Sequence, residues 1–97
     1  MEKTVRIISQ SRLVTRKHLD KRTGVERENH SIILKLTDGL DTFVAEIAGD
    51  RALNCPKFDP TYQYRVHCSM VVRERVSQQT GEQLQSTIIY IDRINLI

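Results

Sequence analysis

The side chains of this chain that could do chemistry are cations, and they are bunched. Residues 1–31 hold eight Lys/Arg against four Asp/Glu, a balance of +4 in a protein whose formal net charge is +3. Residues 32–60 carry three against five, a balance of −2, and residues 61–97 carry four against three, a balance of +1. Within the basic segment Arg12, Arg16, Lys17, Lys21, Arg22 and Arg27 surround a Thr23-Gly24 pair, with His18 and His30 beside them. Lys35, Arg65, Arg73 and Arg75 extend the set into the rest of the chain. A local basic excess attracts a polyanion. The plainer reading of the same residues is a solvated hairpin tip.

Other chemistries lack their residues. His18, His30 and His67 have no metal-type spacing, and Cys55 and Cys68 form no Cys-x-x-Cys pair, so neither zinc nor another metal is expected. The sequence holds no Gly-rich phosphate loop, nucleophile motif or paired carboxylates. A non-enzymatic protein without a cofactor is expected. The N-terminus MEKTVRIISQ lacks the apolar stretch of a signal peptide. The cysteines therefore read as free thiols in a reducing cytosol, which makes the expected compartment cytoplasmic. No run of about 18 apolar residues is present, so no transmembrane helix is expected.

Ninety-seven residues make one domain, residues 1–97. A core this small invites a homo-oligomer, a dimer or tetramer. The elements that must position the cations follow from periodicity. Tyr64–Ile97 reads as one long β-hairpin. Tyr64, Val66, Cys68, Met70 and Val72 alternate with polar residues over its first arm, the pattern of a half-buried strand. Ser86–Ile91 is β-branched and aromatic, which suits the returning strand. Between them Arg73–Gln85 is polar around Thr80-Gly81, and Gly supplies the positive φ of a reversal. Asp92 and Arg93 interrupt the apolar pattern as a bend, bulge or edge.

A second stretch echoes this one. Thr15–Leu34 has a basic arm, a Thr23-Gly24 turn, a polar return and a Ser-Ile-Ile strand, as the Tyr64–Ile97 hairpin has Thr80-Gly81 and Ser86-Thr87-Ile88-Ile89. The matches are too few for a repeat and indicate a shared architecture. In chain order, Lys3–Arg16 is a first strand, with Lys17–Glu26 as the tip that follows. Arg27–Thr37 is a second strand with Ile32, Leu34 and Leu36 inward. After an Asp38-Gly39 turn comes Thr42–Ala48, a third strand. Gly49–Pro60 carries Pro56 and Pro60, which limit it to a short helix at Asp50–Asn54, capped by Asp50, or an irregular connector. Three strands, a connector and two strands is the order of the all-β OB-fold, a five-stranded Greek-key barrel whose 1-2 and 4-5 loops flank its ligand face. Those loops are the two charged hairpins.

At this point the residues resemble a family. Thr42–Asn54 (TFVAEIAGDRALN) is similar to the third strand and following helix of bacterial single-stranded DNA-binding proteins. Arg73-Glu74-Arg75, Thr80-Gly81 and Thr87-Ile88-Ile89 resemble the last two strands and their loop, and Val5–Leu13 the first strand. Ser11 stands where that family has a glycine, and Val76 where many members have an aromatic residue. With no acidic tail after Ile97, the chain is more similar to the tail-less primosomal PriB-type dimers, to phage, plasmid and mobile-element relatives, or to a domain excised from a longer protein. The resemblance implies an OB-fold that binds single-stranded DNA, with RNA as a further possibility, in replication, recombination or repair.

Such binding needs cations for phosphates and flat groups for bases. The expected binding set is Arg12, Arg16, Lys17, Lys21, Arg22, Arg27, Lys35, Arg65, Arg73, Arg75 and Tyr90. Five Phe/Tyr and no Trp leave little stacking. Tyr64 is in phase with the core, Phe43 is ambiguous, and Phe58 and Tyr62 sit in the connector as barrel caps. The competing class is an OB-fold interaction subunit of a replication or primosome-type assembly. Ile33, Val44 and Val71 are apolar in outward phase and suit a subunit interface.

Overall fold

The computed structural model describes the backbone of residues 1–97 and every side chain except that of Arg75. Six strands and one helical turn follow in order: β1 (Glu2–Gln10), β2 (Val14–Leu19), β3 (Glu26–Thr37), β4 (Thr42–Ala48), α1 (Asp50–Leu53), β5 (Gln63–Val76) and β6 (Gln83–Leu96). The strands pair in the order β1-β5-β6-β4-β3, and β3 pairs again with β1 to close the ring. β2 lies outside the ring, paired to β3. Every pairing is antiparallel except β4–β6, a parallel contact at Glu46 opposite Tyr90. This is a closed five-stranded Greek-key barrel with one extra strand and almost no helix, an OB-fold.

Alternation along each strand fills the barrel. Val5 and Ile7 come from β1, Ile32, Leu34 and Leu36 from β3, Ala45 and Ile47 from β4, Tyr64, Val66 and Cys68 from β5, and Ile91 from β6. Ala52 plugs one end from α1. Leu34 and Leu36 are fully enclosed at 0% exposure. Tyr64 is a packing residue, as its phase indicates. Its ring meets Phe58 edge-on at 5.3 Å, and its hydroxyl accepts the Asp59 N–H at 3.0 Å. Phe58 thus covers the barrel from the connector, whereas Tyr62 is 53% exposed and covers nothing.

Three local expectations need correction. The single first strand breaks at Ser11-Arg12-Leu13. There the Ser11 N–H donates to the Ile33 carbonyl at 2.9 Å, and the Ser11 hydroxyl accepts the Ile33 N–H at 2.9 Å. One serine replaces a ladder step, so the strand can turn from the barrel (β1) onto the outer ribbon (β2). Asp50 does not cap α1. Gly49 holds that position at φ 74°, and Asp50 lies in the first turn. The chain reverses there while the Gly49 N–H is bound to the His30 carbonyl, a conformation that glycine adopts without a Cβ clash.

Of the three readings open for Asp92, the bulge is the one the structure adopts. Cys68 pairs with Ile91 and His67 with Arg93, so Asp92 is the extra residue of a bulge and β6 runs on to Leu96. The second hairpin is also longer than its apolar pattern indicates. β5 and β6 pair out to Val76 and Gln83, through the polar segment. Met70 and Val72 keep the phase of Cys68 yet are 60% and 59% exposed, because this ribbon has left the barrel. The two ribbons draw the molecule out to 43 Å in its longest dimension.

The β3–β4 turn is held by Asp38. Its carboxylate accepts the N–H groups of Asp41 at 2.7 Å and Leu40 at 2.9 Å and the Lys3 ammonium at 2.8 Å. These donors, the Asp41 N–H foremost, hold the Asp38 carboxyl well below its ordinary value of 3.8. A carboxylate depressed by folding stabilises fully above its unfolded pKa, and that contribution is lost as pH falls toward the folded value. Two outcomes are expected. Leu34→Ala should lower the unfolding free energy by about 2–5 kcal/mol in urea melts. Asp38→Asn should melt below the parent at neutral pH, with the gap closing as pH falls from about 3.8. A gap independent of pH would show that the turn does not depend on the charge.

Candidate nucleic-acid interface

Each ribbon ends in the same turn. In the first, the Asp20 N–H donates to the Val25 carbonyl at 2.9 Å and the Gly24 N–H to the Asp20 carbonyl at 2.8 Å. In the second, the Ser77 N–H donates to Glu82 at 2.8 Å and the Gly81 N–H to Ser77 at 2.8 Å. Thr23 and Thr80 accept the N–H of Val25 and Glu82, both at 3.3 Å. Gly24 and Gly81 have φ of 67° and 70°. The Thr-Gly echo in the sequence is one turn used twice. The second and third turn residues differ: Lys21-Arg22 in the first tip, Gln78-Gln79 in the second.

Between the ribbons lies the outer face of β3 and β4. Ile33 stands opposite Glu46 and Lys35 opposite Val44. β2 continues this face with Arg16 opposite Asn29 and His18 opposite Arg27. On the other side Tyr90 faces Glu46, Val71 pairs with Ile88 and Arg73 with Ser86. The ribbons leave β4 at opposite ends. Ser31 pairs with Ala48, so the β2–β3 tip lies beyond the end of β4. β6 runs parallel to β4, so its Gln83 tip lies beyond the start. Strands 2 and 3 of an OB-fold and the loops around them are its usual ligand face. In this chain that face is the outer surface of β3 and β4.

The structure divides the expected binding residues. Arg16, Lys21, Arg22 and Lys35 are exposed and, among the described residues, pair with no carboxylate. Lys17 and Arg27 belong to the same ribbon but meet Glu28 at 3.8 Å and Asp20 at 3.3 Å, which offsets part of their charge. Arg73 donates to the Tyr90 hydroxyl at 2.8 Å and so joins the face with it. Two residues lie elsewhere. Arg65 pairs with Glu2 beside β1, and Arg12 sits in the β1–β2 break, lining a hollow with Leu53 and Lys57. The side chain of Arg75 lies outside the described residues.

Tyr90, half-buried, is the aromatic residue of the face among the described residues. Phe43 points inward against the core, with the Lys3 ammonium 5.7 Å from its ring centre. The centre of the face is aliphatic. Ile33, Val44 and Val71, already outward in phase, are joined by Ile88 into one stripe. Where β4 and β6 diverge from their single bridge, a slot of about 300 Å³ opens, lined by Ile33, Val44, Ala45, Glu46, Thr87, Ile88 and Ile89. Glu46 and the slot were not legible in the sequence, because only the parallel β4–β6 contact brings their walls together.

Among the described residues, no group of three His, Cys, Asp or Glu is placed to hold a metal ion. Cys55 and Cys68 are free, and burial pushes both thiols up. No described helix is long and apolar enough to cross a membrane. Compared with protein-family models, curated proteins and solved structures, the chain matches none significantly.

Proposed function

We propose that this chain binds single-stranded DNA, with little sequence preference over most of its binding surface, in DNA replication, recombination or repair. One observation carries the reading: Arg16, Lys21 and Arg22, unpaired among the described residues, lie on a ribbon that continues the ligand face of an OB-fold. The resemblance of Thr42–Asn54 and Tyr64–Ile97 to bacterial single-stranded DNA-binding proteins supports it. So does the form of the first ribbon, whose exposed cations run from Arg16 on β2 to Lys21 and Arg22 at its tip, a line that a phosphate backbone can follow. With Tyr90 as the aromatic residue of the face, the stacking contribution of about 1–3 kcal/mol per base is small. Affinity is then mainly ionic, and an RNA strand satisfies the same cations.

A second reading rests on the stripe of Ile33, Val44, Ile88 and Val71. An exposed aliphatic band suits protein contact, either in a homo-oligomer or in a replication-type assembly without strong DNA binding. Fluorescence anisotropy of a labelled single strand across a salt series separates the two. The parent should bind at low salt and weaken steeply as salt rises. Changing Arg16, Lys21 and Arg22 together to Ala should flatten the log–log slope by roughly 0.7 for each phosphate no longer neutralised, about 2 in all. Arg65→Ala, on the far side of the barrel, should change nothing. A parent that fails to bind at low salt overturns the DNA reading in favour of the interaction subunit. A triple variant that binds like the parent removes the first ribbon from the interface.

A further inference from the structure

We propose that the slot between β4 and β6 receives a single nucleobase and that Glu46 selects guanine there. This rests on the single-strand reading above and adds one base-reading position to an otherwise tolerant surface. The slot measures about 300 Å³, and six of its seven lining residues are Ile33, Val44, Ala45, Thr87, Ile88 and Ile89. Aliphatic walls accept the apolar faces of a base, and covering those faces removes them from water. The slot opens on the ligand face between the two ribbons, so a strand crossing from one to the other passes over it.

Glu46 supplies the selection. It lines the slot and is half-buried. Among the described residues it has no ion-pair partner. A carboxylate on a polyanion-binding face repels phosphate, so its match in the ligand is a donor edge. It is acceptor-only, with two oxygens side by side. In a single strand the pairing edge of each base is free. Guanine presents N1–H and N2–H there as adjacent donors, which the two oxygens can accept together. Cytosine and adenine offer one amino group next to a ring-nitrogen acceptor. Thymine offers one N–H between two carbonyls, and both carbonyls repel the carboxylate.

The neighbours of Glu46 fit this arrangement. Tyr90, its bridge partner on β6, has its hydroxyl tied to Arg73, which holds the ring on the same outer face. Lys35 stands beside Val44 on the same face, where its ammonium is available to the phosphate of the inserted nucleotide.

The test uses the full chain and labelled strands of about 12 nucleotides, within the usual site size of one OB-fold. One strand is all dT, and three others carry a single central dG, dA or dC. The parent should bind the dG strand about tenfold more tightly than the all-dT strand, within the range of one bidentate base contact. The dA and dC strands should fall between. Glu46→Gln should lose most of the dG gain and keep the parent's affinity for all-dT. Val44→Trp, at a position 54% exposed and so tolerant of size, should fill the slot and lose the gain as well. Normal binding of all-dT without a dG gain, or a gain that survives Glu46→Gln, overturns the slot proposal and leaves the single-strand reading standing. Failure to bind any of the four strands overturns both.

Discussion

Closure of the barrel depends on one parallel contact. Every other neighbour in the ring is an antiparallel partner, and two of those pairings, β3–β4 and β5–β6, are closed by a turn between consecutive strands. β4 and β6 come from distant parts of the sequence and meet at Glu46 and Tyr90. Without that meeting β1, β5 and β6 would form one ribbon and β2, β3 and β4 another, hinged at the β1–β3 pairing. The inner faces of both would then be open to water. Because the contact is a single step, the barrel closes and the strands still part on either side of it. The same geometry that seals the core therefore leaves the slot on the outer face.

The strand order and the core were legible in the sequence because both depend on period-2 alternation. Leu34, Leu36, Val66 and Tyr64 announce their burial by phase, and a barrel converts phase into depth with few exceptions. Met70 and Val72 are such exceptions. They share the phase of Cys68, but a ribbon that extends past its neighbours has no core to face. Alternation identifies a face, whereas burial needs a second layer. The break at Ser11 was hidden for a similar reason, since a serine that brackets Ile33 looks like any other polar position.

The candidate interface was legible in its charge and not in its grouping. The basic excess of the first ribbon is a property of local sequence, and the structure keeps it together on β2, β3 and their turn. Arg65 and Arg12 entered the same set by residue type, yet β5 carries Arg65 to the β1 side of the barrel, and Arg12 sits where the chain bends. Cations within one hairpin share a location automatically, whereas cations on different strands share one only if the register allows it. Glu46 shows the converse. A lone acidic residue in a strand pattern carries no signal until the parallel partner places it beside Tyr90.

The paired ribbon turns separate shape from charge. In each six-residue turn the first residue, the threonine and the glycine make the bonds that set the backbone, while the second and third residues make none with their side chains. Lys21-Arg22 and Gln78-Gln79 occupy those two positions on the same scaffold. A tip of this kind can change its electrical character by two substitutions without changing its path. The protein thus holds two interchangeable sockets at opposite ends of one face, one filled with cations and the other with neutral amides. A difference in what the two ends attract can arise from four side chains alone.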